Sequence, residues 1–386
     1  MRNPILKYLK NLFASQRILG DGVNLGALAK ADSLLQGLVN EKRIPGLSIT
    51  VLKDGKSVLQ KGYGYADLED KRFIDARSTI FRTASVSKPI AATALAQMVS
   101  DGIIALDASF YDYVPYYPKK KWDFTTRQLA SHTAGIRSYK GKEFALNQPY
   151  SIKDSIAIFK DDPLLFEPGK GYEYNSFGWV LISLAMQEAS GVPFEEYVRH
   201  KVLHPLGMTN TFTPEWHADT TAADDKSIEV GIGRDSSERF STALELTERI
   251  VKFYTKIRSG FREAIPVNNF YKLAGGGYLS TSEDIAKFGQ AFLDGTILNP
   301  DMRSEFLTSA MVNGKPTYYG LGWQVSEDKK GRPYFGHVGN SVGAYSNLFI
   351  YPRQRMVFSI LINCTDPKVQ EVLDMAIDRL LDYTGM

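Results

Sequence analysis

Residues 82–98 read Arg82-Thr83-Ala84-Ser85-Val86-Ser87-Lys88-Pro89-Ile90-Ala91-Ala92-Thr93-Ala94-Leu95-Ala96-Gln97-Met98. Ile90, Ala94, Leu95 and Met98 recur at helical spacing, and Gly102 is placed to stop the run, so the reading is a helix within 81–102. With Ser85 at its start, Lys88 lies three residues on and shares a face with it. The positive helix end favours an alkoxide or oxyanion at Ser85. Burial among other cations can depress a lysine pKa, leaving a neutral amine able to take the serine proton. Spacing alone is weak evidence, because Ser326-Glu327-Asp328-Lys329 repeats it in a polar turn. The long apolar helix behind Ser85 separates the two.

Working outward, residues 27–43 read as a helix, with Leu25, Leu28, Leu34, Leu35 and Leu38 spaced for one face. Gly46-Leu47-Ser48-Ile49-Thr50-Val51-Leu52 reads as a strand. Asp54-Gly55 is a hairpin turn, and 57–65 returns as the partner strand. Residues 105–270 show helical segments and polar loops with few strand signals; one helix runs over 177–190, closed by Gly191 and Pro193. The Asp-, Thr- and Ser-rich stretch 215–240 reads as a mobile insertion. Strands resume at 319–325, 333–338, 346–351 and 356–362, before a last helix over 366–383. Strands at both chain ends with helices between them predict an α+β fold. One antiparallel sheet is built from both termini and flanked by helices, and a mainly helical subdomain is inserted. The expected organisation is an extension over 1–26 and one catalytic domain over 27–384. Within that domain, 27–104 and 271–384 form the α/β part and 105–270 the helical part.

At 386 residues and 44% hydrophobic content the chain can bury a large core. Its 46 Lys+Arg nearly balance 43 Asp+Glu, so no global charge draws it to nucleic acid. Nothing approaches the roughly 20 apolar residues that span a bilayer. The single cysteine, Cys364, sits in an apolar run and reads as a core residue; no intrachain disulfide is available, which leaves cytosol, matrix and periplasm open. Ile5, Leu6, Leu9, Leu12 and Phe13 fall at helical spacing among Lys7 and Lys10. That basic amphipathic segment reads either as a helix packed on the body or as a targeting or membrane-surface helix.

Two further segments can carry chemistry. Tyr174, in Gly171-Tyr172-Glu173-Tyr174-Asn175-Ser176-Phe177, sits between a Pro-Gly turn and a helix. Beside lysine cations its phenolate becomes accessible, so it can act as base and then acid; a core tyrosine with a bonded hydroxyl is the other reading. Gly336-His337-Val338-Gly339-Asn340 ends a strand with glycines around it. Its edge can pair with an extended substrate and offer the Asn340 N–H to an oxyanion.

In this order, Ser85-x-x-Lys88, Tyr174-x-Ser176 and His337-x-Gly339 resemble the three motifs of class C β-lactamases, penicillin-binding proteins and their serine hydrolase relatives. The likeness continues through Ser131-His132-Thr133-Ala134-Gly135-Ile136-Arg137, Phe159-Lys160-Asp161-Asp162-Pro163-Leu164, Pro205-Leu206-Gly207-Met208 and Ala274-Gly275-Gly276-Gly277-Tyr278-Leu279-Ser280-Thr281. It is nearest to the branch of mitochondrial serine β-lactamase-like proteins and their bacterial relatives. The resemblance implies an acyl-enzyme on Ser85, proton transfer shared by Lys88 and Tyr174, and an oxyanion held by the N–H groups of Ser85 and Asn340. It implies Ser176, His337 and Gly339 around the substrate. The substrate is a peptide, ester or other small acyl compound; no cofactor or metal is expected, and homo-oligomerisation is left open.

Two departures stand out. The family's Tyr-x-Asn becomes Tyr174-Asn175-Ser176, losing the amide at its third position, and its Lys-Thr-Gly becomes His337-Val338-Gly339, losing a fixed charge and a hydroxyl. Both weaken recognition of the β-lactam carboxylate. A peptidase or esterase is therefore expected over a true β-lactamase, with a catalytically silent binding or scaffold protein as the alternative. Gly275-Gly276-Gly277 lacks the Lys-Ser or Lys-Thr of a phosphate loop and reads as close backbone packing before a helix capped by Thr281 and Asp284. His200 and His204 read as a helix end, His132 as structurally hydrogen-bonded, and Tyr139, Tyr318, Tyr319 and Tyr345 as an aromatic cleft lining.

Overall fold

The structure is a computed structural model describing residues 16–17, 25–213 and 243–382. Helix α1 is Leu25–Asn40. Strands β1 (Gly46–Lys53) and β2 (Lys56–Asp67) form a hairpin through Asp54-Gly55. Helices α2 (Ser87–Ser100) and α3 (Phe177–Ser190) belong to the middle of the chain, and α4 (Ser282–Asp294) follows the glycine triplet. Strands β3 (Gln324–Glu327), β4 (Pro333–Ser341), β5 (Ala344–Tyr351) and β6 (Met356–Ile362) precede the last helix, α5 (Gln370–Asp382).

These strands make one antiparallel sheet in the order β2-β1-β6-β5-β4-β3, extended at the β2 side by Gln16–Arg17 and Arg72–Phe73. The join between the two chain ends is β1 on β6, with Ile49 opposite Ile360 and Val51 opposite Phe358. Alternation along β1 sends Leu47, Ile49 and Val51 to one face, where they meet Leu35 and Leu38 of α1 and Leu373 and Ile377 of α5. On the other face Leu348, Ile350 and Val357 pack with Ile285, Phe288 and Phe292 of α4. The sheet is thus sandwiched between helices. The hydroxyls that β1 turns inward are paired, since Ser282 Oγ lies 2.7 Å from Ser48 Oγ and 2.9 Å from Thr50 Oγ1.

Helix α3 is apolar on every side, and Phe177 through Met186 are all buried in the helical lobe. Gly191, in the left-handed region at φ 68°, ends it as its position ahead of Pro193 indicated. Thr281 caps α4 by accepting the Asp284 N–H at 3.2 Å. No helix among the described residues is long and apolar enough to cross a membrane. Cys364 is buried, and burial pushes its thiol up to about 11.

Four expectations need correction. The helix read over 81–102 is shorter: Phe81–Arg82 pair as a strand with Leu279–Ser280, Ala84–Val86 form a 3-10 turn, and α2 begins only at Ser87. The strand read over 319–325 starts at Gln324, because Gly322 at φ 84° turns the chain just before it. The last helix begins at Gln370 rather than at 366. The helical middle also contains a hairpin, Tyr254–Ile257 with Gly260–Glu263, whose first strand pairs in parallel with Cys364–Thr365. The helix proposed around residues 5–13 and the insertion at 215–240 lie outside the described residues.

Ile360→Ala removes three buried carbons at the junction of the two chain ends. It should lower unfolding free energy by about 2–5 kcal/mol, read as a lower urea midpoint at unchanged slope.

Candidate active site

Ser85 sits in the middle of the Ala84–Val86 turn. Ala84 before it is held at φ 47°, a left-handed conformation that costs a non-glycine residue about 1–3 kcal/mol. Two contacts hold the turn in place. Gly339 of β4 passes so close that an added Cβ would stand 2.8 Å from Ser85 N and 2.2 Å from Ser346 Oγ. Ser346 itself donates to Thr83 O at 2.6 Å. The glycine triplet closes in from the opposite side, where a Cβ on Gly275 would meet Ser176 Cβ at 3.2 Å. Close backbone packing is therefore what these glycines serve.

Lys88, one turn into the helical segment, is wholly buried. Its Nζ is 3.0 Å from Ser85 Oγ and donates to Gly275 O at 2.7 Å. Burial first, then the nearby Lys272 cation, hold its pKa well below the ordinary lysine value. A neutral amine keeps one lone pair, and the remaining neighbour at hydrogen-bonding distance is the Ser85 hydroxyl. Tyr174 donates to the same Ser85 Oγ at 2.8 Å, and Lys88 Nζ lies 4.8 Å from its ring centroid. The expected accessible phenolate is corrected here. Burial pushes the Tyr174 phenol up, and a neutral Lys88 offers no cation to hold a phenolate. Tyr174 rests as a proton donor.

Behind these groups lies an aromatic bed. His337 is buried, and its Nδ1 lies 2.6 Å from Val338 O, which can only accept, so the proton is on Nδ1. Its Nε2 then accepts from Tyr319 OH at 2.9 Å. Burial, and after it Lys88, pull the His337 pKa down to about 3. The His132 ring lies tilted against Tyr174 and Tyr319, 4.6 Å from both centroids; its Nδ1 takes the Asn175 N–H at 3.4 Å, the structural bond the sequence pointed to. Burial, then Lys88, lower its pKa as well.

The cleft over Ser85, about 370 Å³, is lined by Tyr139, Ser176, Lys272, Asn340 and Asp366 among others. Tyr139 and Ser176 share the cleft wall. Ser85, Ser176 and Asn340 thus meet as expected, with Gly339 directly beneath. The His337 side chain does not line the cleft; it supports Tyr174 from below, ring centroids 6.0 Å apart, because its two nitrogens are consumed by Val338 and Tyr319. Of the four tyrosines read as cleft lining, only Tyr139 lines it. Tyr318 is exposed, Tyr319 is buried against His337, and the Tyr345 hydroxyl donates to Gln370 at 2.7 Å.

Beyond Gly336, β3 no longer pairs with β4, so the edge of 337–341 opens beside the turn. Val338 N uses this edge to donate to Gln324 Oε1 at 3.0 Å. The strand period turns the Asn340 N–H, two residues on, to the same side. The sequence reading missed Lys272, whose one signal is a lone lysine in the run Phe270-Tyr271-Lys272-Leu273-Ala274 just before the triplet.

A helix-flanked antiparallel sheet, a helical lobe, and a serine held between lysine and tyrosine at their junction define the active-serine β-lactamase and penicillin-binding-protein class. The Beta-lactamase family model matches residues 31–382, and the chain belongs to that family. The human serine beta-lactamase-like protein LACTB, mitochondrial, is 27% identical, covering 85% of this chain and 72% of its own length. The octameric penicillin-binding protein homologue from Pyrococcus abyssi superposes with a TM-score of 0.75 at 24% identity, over 92% of this chain and 77% of that one. The D-amino acid amidase from Ochrobactrum anthropi SV3 does so with a TM-score of 0.75 at 22% identity, over 92% and 99%. At these identities the two structures establish the shared fold.

Two buried neutral histidines set an acid limit on stability. Below their unfolded pKa of about 6.5 the unfolded chain binds protons that the folded chain refuses. Stability contributed by His337 is therefore complete above that value and declines as pH falls toward about 3. Between pH 6.5 and 5, before most carboxylates titrate, each such histidine should cost up to about 1.4 kcal/mol per pH unit. Urea midpoints should fall over that window in the native protein and less steeply in His337→Gln.

Proposed function

We propose that this protein is a serine acyl hydrolase that forms a covalent acyl-enzyme on Ser85 and acts on an amide or ester. The observation that carries this is the Ser85 hydroxyl held between a desolvated Lys88 amine at 3.0 Å and the Tyr174 phenol at 2.8 Å. Lys88 Nζ takes the Ser85 proton as Oγ attacks the carbonyl carbon, giving a tetrahedral oxyanion and a Lys88 ammonium. The Ser85 and Asn340 N–H groups receive the oxyanion. On collapse the carbon–leaving-group bond breaks. Tyr174 gives its proton to the departing nitrogen or oxygen, and the Lys88 ammonium returns one to the Tyr174 oxygen. Water then attacks the acyl carbon, yielding its proton through the same pair, and Ser85 leaves reprotonated.

Peptidase or esterase chemistry is favoured over β-lactam turnover. The amide that the family's second motif supplies is replaced by the shorter hydroxyl of Ser176, and the charge of the third motif is replaced by a neutral, fully bonded His337. Neither group can grip a β-lactam as the family's Asn and Lys do. Nitrocefin hydrolysis should be absent or several orders of magnitude slower than the family's resistance enzymes; turnover at their rates would refute this part of the reading.

The deciding measurement is intact-mass detection of an adduct with a fluorophosphonate probe. Native protein should gain one adduct and Ser85→Ala none. Lys88→Met should slow labelling by about 10²–10⁴-fold, and Tyr174→Phe by less. A well-folded native protein that takes no label would shift the assignment to a silent scaffold of the same fold.

A further inference from the structure

We propose that Lys272 is the anion-recognition residue of the Ser85 cleft, so that the acyl substrate carries a carboxylate or comparable anionic group that pairs with its ammonium. This deepens the hydrolase reading and rests on it. Lys272 closes the 3-10 turn Phe270–Lys272, three residues ahead of the Gly275 carbonyl that anchors Lys88. The same short stretch of backbone therefore positions both lysines relative to Ser85. Only 5% of Lys272 is exposed, yet it lines the cleft.

Its partners satisfy it only in part. Nζ donates to Phe144 O at 2.9 Å and lies 5.3 and 5.5 Å from the ring centroids of Tyr139 and Tyr271. Among the described residues no carboxylate is within ion-pairing distance of it. The charge that acts on it is another cation, Arg82, and Lys272 in turn helps hold the Lys88 amine below its ordinary pKa. Arg82 is itself bound to a carbonyl, Val342 O at 2.8 Å, and lies over the Phe253 ring. The carboxylate that does line the cleft, Asp366, is taken by Lys368 at 2.6 Å.

A cation almost removed from water, with no counter-ion among the described residues and the like charge of Arg82 nearby, is costly to keep. Leucine or methionine would fill the same space without that cost. Burial pulls the Lys272 amine down to about 7, where an arriving anion readily restores its charge. The other cleft groups that could meet a substrate, Tyr139, Ser176 and Asn340, are neutral. With His337 neutral and facing away, Lys272 is the lysine of the cleft that is not engaged with Ser85.

The test uses paired probes with one leaving group, p-nitrophenyl butyrate and mono-p-nitrophenyl glutarate, on native protein, Lys272→Met and Lys272→Arg. Native protein should prefer the glutarate by about tenfold or more in kcat/KM, expressed mainly in KM. Lys272→Met should bring the ratio near one, and Lys272→Arg should keep part of the preference. A native ratio at or below one overturns the proposal. So does a Lys272→Met variant that slows both esters in equal proportion, which would confine Lys272 to tuning Lys88. Should Lys272→Met fail to fold, protection of native Ser85 from the fluorophosphonate by free glutarate, but not by butyramide, supports the site, and equal protection by both sinks it. Calorimetry of Ser85→Ala with glutaric acid mono-anilide separates the two levels. Binding there without turnover by native protein retires the hydrolase reading and keeps the anion site; turnover without preference does the reverse.

Discussion

The removal of the Lys88 amine from water is the constraint on which the rest of the site depends. An ammonium there would face several kcal/mol of desolvation with only a carbonyl and a hydroxyl to offset it. Burial therefore holds its pKa well below the ordinary lysine value, the direction that a proton-accepting role requires. The surrounding structure enforces the dry environment. Gly275 brings its carbonyl to 2.7 Å, Tyr174 lies over the amine, and Gly339 allows β4 to close against the nucleophile turn. A side chain at Gly339 would push Ser346 and the Ser85 backbone apart, opening the path to water that the lysine cannot tolerate.

Several costs are concentrated in this one place. Ala84 is held in a left-handed conformation, two histidines are kept neutral far below their usual pKa, and three basic residues, Arg82, Lys88 and Lys272, share a region where no carboxylate among the described residues pairs with them. Such features are stable only where the scaffold over-determines them. Here that scaffold is the β1–β6 junction, apolar on one face and hydroxyl-paired to α4 on the other, together with the all-round burial of α3. Stability made at the sheet is spent at the cleft.

The scaffold was far more legible in the sequence than the state of the site. Leu47, Ile49 and Val51 alternate with Ser48 and Thr50 because each face of β1 has its own neighbours, and that alternation is local. Gly191 and Pro193 end α3 by their own backbone chemistry. Phe81–Arg82, by contrast, carry an apolar-then-polar pattern that suits a helix start. They become a strand only because Leu279–Ser280, almost 200 residues away, pair with them. Ser85, Lys88 and Tyr174 could be singled out as residues, and the structure brings their side chains together. The protonation of Tyr174 and the sequestering of His337 could not be read in this way, since both follow from burial that no spacing encodes. Lys272 escaped for a related reason. A lysine in an apolar run ordinarily carries its amine out to solvent, and only the tertiary arrangement reveals that this one cannot.

The division of labour among elements also explains how the family's motifs can diverge here without dismantling the centre. Activation of Ser85 is assembled from Lys88, the Gly275 carbonyl and Tyr174, none of which changes when the third residue of the second motif becomes Ser176. Recognition is assembled elsewhere, on the free edge of β4 and the walls of the cleft. A histidine at the start of the third motif gives up the charge that a lysine would present, yet it supplies a hydrogen bond to Tyr319 and a surface beneath Tyr174. The exchange replaces a fixed charge with a neutral ring that packs beneath Tyr174. The cleft has a neutral histidine where the family's third motif has a lysine, and it holds Lys272 on the segment before the glycine triplet. Its positive charge therefore sits on a different wall of the cleft from the one the family's third motif supplies.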